Sequence, residues 1–271
     1  MNLRSIRWLT VAAVGVTLAA GGAQGASPSP AREEATASPP VASVLPSASP
    51  GVPVPVLTEP FDAPSDRWWT GRDERERTAI EDGVLRTRLR TKGASSTWQW
   101  VDLPAATDRV RVQAQVLVER GPGGGGPICG DAAGDGHWYW GGINGDGEWL
   151  LGWISGSRVH VEQRGDRPVV RDPEAPVGAP YPVPVTLECA VGPDGASDRV
   201  TLAVQGVPVA EMAKQRVGPY PQVGLMVAGD KAGVTVTFDD LLAWDAAALE
   251  AAPAPSPTAS PSGSPPPSPA P

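Results

Sequence analysis

The chain has 271 residues, including 32 prolines and 32 glycines, and a net charge of −8. The acidic balance argues against a nucleic-acid partner, because phosphate recognition needs a basic surface. Both ends are too rich in Pro, Ser and Ala to bury a core, which leaves one domain of about 190 residues between them, long enough to bury most of its apolar surface.

At the N-terminus Arg4 and Arg7 precede an apolar run from Trp8 to Ala20, and Ala23-Gln24-Gly25 supplies small residues before Ala26. This reads as a signal peptide over residues 1–25. The run is shorter than the roughly 20 apolar residues of a membrane span, so the chain is not expected to span a membrane after cleavage; a retained anchor is the alternative. Residues 26–55 form a Pro/Ser/Ala-rich linker and residues 247–271 a Pro/Ser-rich tail, both expected to be disordered spacers. The expected location is secreted, extracellular or in the cell envelope.

Between these flanks no helical period appears, and short strand-like runs alternate with turns. Val84 to Arg90 places Leu85, Thr87 and Leu89 on one face and Arg86, Arg88 and Arg90 on the other. Val110 to Val116 turns Val110, Val112, Ala114 and Val116 toward a core and Arg111, Gln113 and Gln115 away from it. Cys129 to Trp153 holds the densest aromatics in the chain. Its clusters DAAGDG (131–136) and NGDG (144–147) supply the positive-φ positions of tight turns, so it divides into three successive strands joined by two hairpins. Val185 to Val191 turns Val185, Leu187, Cys189 and Val191 inward, and Arg199 to Gln205, Gln222 to Ala228 and Val234 to Trp244 complete the set. Many short strands at about ten-residue spacing define an all-β sandwich or barrel.

The two cysteines, Cys129 and Cys189, both fall in strands. In an exported protein a pair of cysteines is expected to bridge. Closing a loop of about 60 residues stabilises the fold by roughly 4 kcal/mol in the chain-entropy model. Two buried free thiols are the alternative.

The order FDAPSDRWW, IEDGVLRTRLR, VRVQAQV, PICGDAAGDGHWYWGGINGDGEWLLGW, VTLECAVG, VTLAVQGVPVAE, QVGLMVAG and VTVTFDDLLAW resembles the exported concanavalin A-like lectin/glucanase modules of bacteria. More narrowly, it resembles the family named for a 3-keto-disaccharide hydrolase domain. The resemblance covers residues 56–246 and implies a concanavalin A-like β-sandwich, a jelly roll of two curved antiparallel sheets whose concave face often holds a sugar in relatives.

The residues offer little for catalysis. Glycoside hydrolysis uses two carboxylates facing each other across the scissile bond, and the glucanases of this fold take them from an E-x-D-x-E strand. Here the nearest match is Asn144-Gly145-Asp146-Gly147-Glu148, in which Asn144 replaces the first Glu and the glycines make a turn. The two histidines, His137 and His160, sit in no nucleophile or metal pattern of the sequence. No cofactor is expected. A structural calcium ion is the one metal to consider, at Asp62, Asp239 and Asp240, which adjoin in the fold the resemblance implies; the alternative is that these residues cap strands and turns. Arg86, Arg88 and Arg90 offer either an anion-binding stripe or partners for nearby Asp and Glu.

The tryptophans carry the functional expectation. Trp98 and Trp100 share one face of their strand, and Trp138 and Trp140 share one face of theirs. If Tyr139 and Ile143 point inward, as the resemblance implies, Trp138 and Trp140 point to the concave side, and Arg111, Gln113 and Gln115 are expected beside them. Indoles stack on the C–H faces of sugars while amides and guanidinium groups bond their hydroxyls. Trp149, Trp153 and Trp244 are left to fill the interior. The leading reading is a non-catalytic binding module for a glycan or cell-envelope polymer. A hydrolase or lyase of the keto-disaccharide kind, and a spacer protein without a small ligand, are the alternatives.

Overall fold

The computed structural model describes residues 54–91, 93–131, 136–168, 181–215, 217–229 and 233–251. The stretch read as a signal peptide (1–25), and most of the stretches read as linker (26–55) and tail (247–271), lie outside these residues. Fifteen strands and one short helix are described: β1 (Leu57–Glu59), β2 (Gly71–Arg72), β3 (Glu76–Glu81), β4 (Val84–Leu89), β5 (Ser95–Thr107), β6 (Arg109–Arg120), β7 (Gly124–Asp131), β8 (His137–Asn144), β9 (Glu148–Ser155), β10 (Arg158–Asp166), β11 (Val183–Val191), β12 (Ser197–Val204), β13 (Val207–Gln215), β14 (Tyr220–Gly229), β15 (Thr235–Asp245) and α1 (Ala246–Ala251). The run read from Cys129 to Trp153 is β7, β8 and β9, and all three lie inside a sheet rather than at its edge. The helix is not expected from the sequence.

The strands form two sheets in which every ladder is antiparallel. The nine-stranded sheet runs β13-β12-β11-β6-β15-β4-β3-β2, with β1 paired to β15 as well; the six-stranded sheet runs β10-β9-β8-β7-β14-β5. The chain passes from one sheet to the other between β4 and β5, β5 and β6, β6 and β7, β10 and β11, β13 and β14, and β14 and β15. In this way a late strand is inserted between early ones in each sheet: β14 between β7 and β5, and β15 between β6 and β4. This is the concanavalin A-like jelly roll.

The core fills the space between the sheets. On β6, Val110, Val112, Ala114 and Val116 are fully buried, and on β11 Val183, Val185, Leu187 and Cys189 face them from the neighbouring strand. Phe61, Trp68, Tyr139, Tyr220 and Phe238 supply the bulk. Trp68 meets Phe61 edge-on with ring centroids 5.5 Å apart. Trp149 and Trp153 pack against this core while partly exposed. Trp244 does not: it stands opposite Arg111 in the β15–β6 ladder, on the outer face of the nine-stranded sheet, because its neighbour Ala243 takes the inward position.

Two ties cross the sandwich side by side. A disulfide joins Cys129 on β7 to Cys189 on β11, with Cα atoms 6.7 Å apart. Tyr139, the residue opposite Cys129 on β8, brings its hydroxyl 3.1 Å from Asp198 Oδ2 and 2.8 Å from the carbonyl of Gln215. Asp198 is fully buried, and the same oxygen accepts the backbone N–H groups of Val217 and Gly218. Burial raises the Tyr139 pKa, and the neighbouring Asp198 charge raises it further. Tyr139→Phe removes one donor from a buried carboxylate, so it is expected to cost about 1 to 3 kcal/mol. Urea unfolding of the disulfide-intact protein measures this, and a change near zero would show that the tie contributes nothing.

Candidate functional site

Alternation along β8 sends Tyr139 and Ile143 into the core and Trp138 and Trp140 to the other face of the six-stranded sheet. There Ile128, Trp138, Trp140, Ile154 and Met226 form a second apolar cluster, separate from the core, with Trp98, Leu150, Val159 and Ala228 packed around it. The registers explain the grouping. Trp140 stands opposite Ile128 on β7 and Gly152 on β9; Ile128 stands opposite Gly224 on β14, and Gly224 opposite Trp100 on β5. In the next row Trp138 stands between Ile154 and Gly130, and beyond Gly130 come Gln222 and Asp102.

Glycines let the indoles lie along the sheet. A Cβ at Gly152 would sit 2.8 Å from Trp140 Nε1, and one at Gly130 would sit 2.9 Å from Trp138 Cδ2. Trp140 thus reaches across β9, and its indole N–H donates to the carbonyl of His160 on β10 at 3.2 Å. Trp138 leans over β7 toward Trp100, with ring centroids 5.4 Å apart. The four tryptophans differ sharply in exposure. Trp138 and Trp140 are each 2% exposed, Trp98 is half-buried, and Trp100 is 40% exposed. Beside Trp100, the exposed Asp102 accepts a hydrogen bond of 2.7 Å from Gln222 Nε2. Asp102 also borders a cleft of about 540 Å³ lined by Val56, Leu57, Thr58, Arg67, Val101 and Pro104.

Arg111, Gln113 and Gln115 do not join this face. They alternate outward as expected, but from β6 of the nine-stranded sheet, so they lie on the opposite side of the sandwich from Trp138 and Trp140. The sequence pattern gives the face of a strand and not the sheet it enters. Arg111 is also engaged there: Glu188 accepts from its Nε at 2.9 Å and its Nη2 at 2.7 Å, and from Arg109 Nε at 2.7 Å. Burial alone would raise the Glu188 pKa, but the bonds from Arg111 and Arg109 outweigh it and hold the carboxyl below its ordinary range. Gln113 accepts from the Thr186 hydroxyl at 3.2 Å. The groups that stand beside the tryptophans are Asp102 and Gln222, and they were within reach of the sequence, since Asp102 follows Trp100 by two positions on the same strand face.

The other candidates are quickly placed. Asn144 Nδ2 donates to Glu148 Oε2 at 2.8 Å while its Oδ1 accepts the Asp146 and Glu148 N–H groups, so this segment is a side-chain-braced turn, as its glycines imply. Asp239 and Asp240 form a bulge in β15, and Asp239 Oδ1 accepts the Asp240 N–H at 2.8 Å. Burial and then the charges of Asp240 and Asp62 raise the Asp239 pKa. Among the described residues no group of three His, Cys, Asp or Glu side chains has a metal-holding arrangement. Arg86 pairs with Glu81 at 2.7 Å and Glu119 at 3.0 Å, and Arg90 donates to the carbonyl of Asp73. Two of the three residues of the arginine stripe are therefore taken by neighbours.

No family model matches the sequence, and no curated protein matches it. Among solved structures the chain is similar to a protein of unknown function with a galectin-like fold from Bacillus subtilis (14% identity over 72% of this chain and 97% of that one, TM-score 0.49). It is also similar to a carbohydrate binding module from Bacillus subtilis (12% identity, 58% and 86% covered, TM-score 0.37). A prokaryotic β-1,3-1,4-glucanase from a mouse hindgut metagenome is a third (11% identity, 70% and 98% covered, TM-score 0.43).

The exposures separate two roles within the tryptophan face. Trp138→Ala and Trp140→Ala are each expected to lower stability by about 3 to 5 kcal/mol, as loss of a buried aromatic does, whereas Trp100→Ala should cost about 1 kcal/mol or less, as at other exposed positions. Chemical denaturation of the three variants checks the ordering. Equal costs at all three positions would contradict it.

Proposed function

We propose that this chain is an exported binding module that holds a carbohydrate against Trp100, on the outer face of the six-stranded sheet. The observation that carries the reading is an indole 40% exposed whose ring meets that of the buried Trp138, with centroids 5.4 Å apart, next to the hydrogen-bonding pair Asp102 and Gln222. A sugar ring stacks its C–H face on such an indole, and its hydroxyls find an acceptor and an amide at the edge of the same platform. Trp98 widens the platform, while Trp138 and Trp140 act beneath and beside it as its support. The disulfide suits an oxidising compartment, in keeping with export and with a cell-envelope glycan as the partner.

Cleavage of the glycan is the competing reading, as the resemblance to 3-keto-disaccharide hydrolases implies. A glycosidase of the usual kind sets two carboxylates across the bond. Beside Trp100 the described residues supply Asp102 alone, already bonded to Gln222, which favours holding the sugar over cutting it.

Calorimetric titration with a panel of neutral and acidic oligosaccharides tests the reading. At least one is expected to bind the wild-type protein without release of new reducing ends. Trp100→Ala should then weaken that binding tenfold or more, about 1.4 kcal/mol, at an unchanged unfolding midpoint. Undiminished affinity in Trp100→Ala, or new reducing ends, would refute it.

A further inference from the structure

At one end of the six-stranded sheet four functional side chains stand in a single row on four adjacent strands. Asp131 on β7 is the register partner of His137 on β8; His137 is the partner of Ser155 on β9; Ser155 is the partner of Arg158 on β10. Residues directly opposite in antiparallel ladders share a face with Cβ atoms about 4.5 to 5.5 Å apart, so the sheet presents acid, imidazole, hydroxyl and guanidinium in that order. The central contact is made: Ser155 Oγ lies 2.9 Å from His137 Nε2. Asp131, His137 and Ser155 are all half-buried and Arg158 is exposed. The turn that follows Ser155 is tight, with Gly156 at φ 55°, and this holds Ser155 and Arg158 opposite each other.

We infer that Ser155 is a nucleophile for acyl transfer, with His137 as its general base, acting on short O-acyl esters. A serine becomes nucleophilic when an imidazole within hydrogen-bond reach takes its proton and a third group orients that imidazole. Asp131 stands on the strand across His137 from Ser155, the side from which a carboxylate fixes the tautomer whose Nε2 accepts. It is a positioning residue in this scheme. As Ser155 Oγ bonds to the ester carbonyl carbon, its proton passes to His137 Nε2 and the carbonyl oxygen becomes an oxyanion; Arg158, across the ladder from Ser155, is the cation the row offers to that charge. The C–O bond to the alcohol then breaks, and the departing alkoxide takes the proton from His137. Water, deprotonated by His137 Nε2, adds its oxygen to the acyl carbon, the bond from that carbon to Ser155 Oγ breaks, and His137 returns the proton to Oγ, so one ester and one water yield one acid and one alcohol and the serine is regenerated. The row shares no residue with the Trp100 platform, and its test stands apart from that of glycan binding.

The test is covalent labelling of the full-length protein with a small fluorophosphonate, followed by peptide mapping of the labelled serine. The expected result is stoichiometric label on Ser155, none in Ser155→Ala, and a labelling rate lowered by about two orders of magnitude in His137→Gln, the contribution of a general base. Turnover of p-nitrophenyl acetate should be lost in the same two variants, each checked for a wild-type unfolding midpoint. The wild-type map decides even if a variant fails to fold. Label elsewhere, no label, or equal rates in wild type and His137→Gln would each overturn the assignment and leave the row as a structural hydrogen bond at the sheet end.

Discussion

On β8 the chain turns Tyr139 and Ile143 into the space between the sheets and Trp138 and Trp140 out of it, and the rest of the molecule depends on that register being held. A slip of one residue would exchange the two sets, placing indoles in the core and the tyrosine hydroxyl outside. The slip is opposed by two ties that meet at one place. Cys129, opposite Tyr139, is bridged to Cys189, while the Tyr139 hydroxyl reaches Asp198, two residues before Val200, the partner of Cys189 in the β11–β12 ladder. One covalent bond and one buried hydrogen-bond cluster therefore fix the same pair of strands against the opposite sheet.

With the register fixed, the outer face of the six-stranded sheet is determined by which positions carry bulk and which carry glycine. Gly130 and Gly152 leave room for Trp138 and Trp140 to lie along the sheet and bury themselves. Trp100 sits on the terminal strand β5 and has a neighbouring strand on one side only. Burial and exposure of chemically identical side chains thus follow from strand position: the interior indoles Trp138 and Trp140 are buried, while on the marginal strand Trp98 is half-buried and Trp100 is exposed.

Much of this was legible in the sequence, and the reasons for what was not are specific. Period-two patterns identified β4, β6 and β11 and the inward face of each, because half-buried strands impose that period on their side chains. The glycine and Asx clusters located both hairpins around β8. The same patterns could not say that β6 enters the other sheet, so Arg111, Gln113 and Gln115 have the outward orientation the alternation implies but lie on the opposite side of the sandwich from the tryptophans. Trp244 failed similarly, since the bulge at Asp239 and Asp240 lies within its own strand and the inward position falls to Ala243. The contact of Ser155 with His137 was invisible because it is set by hairpin register: β8 and β9 align Ser155 with His137 across their whole length, and no spacing rule in the sequence records that.

Trp100, and not the buried pair Trp138 and Trp140, is the indole proposed to meet the sugar. A heteronuclear NMR titration that follows the indole N–H resonances of the ten tryptophans addresses it most directly, using whichever oligosaccharide binds in calorimetry. The Trp100 resonance is expected to move most and that of Trp98 to follow, with the Trp140 N–H, bonded to His160, and the backbone of β6 remaining in place. A largest shift at Trp140 or along Arg111 to Gln115, with Trp100 unmoved, would contradict it.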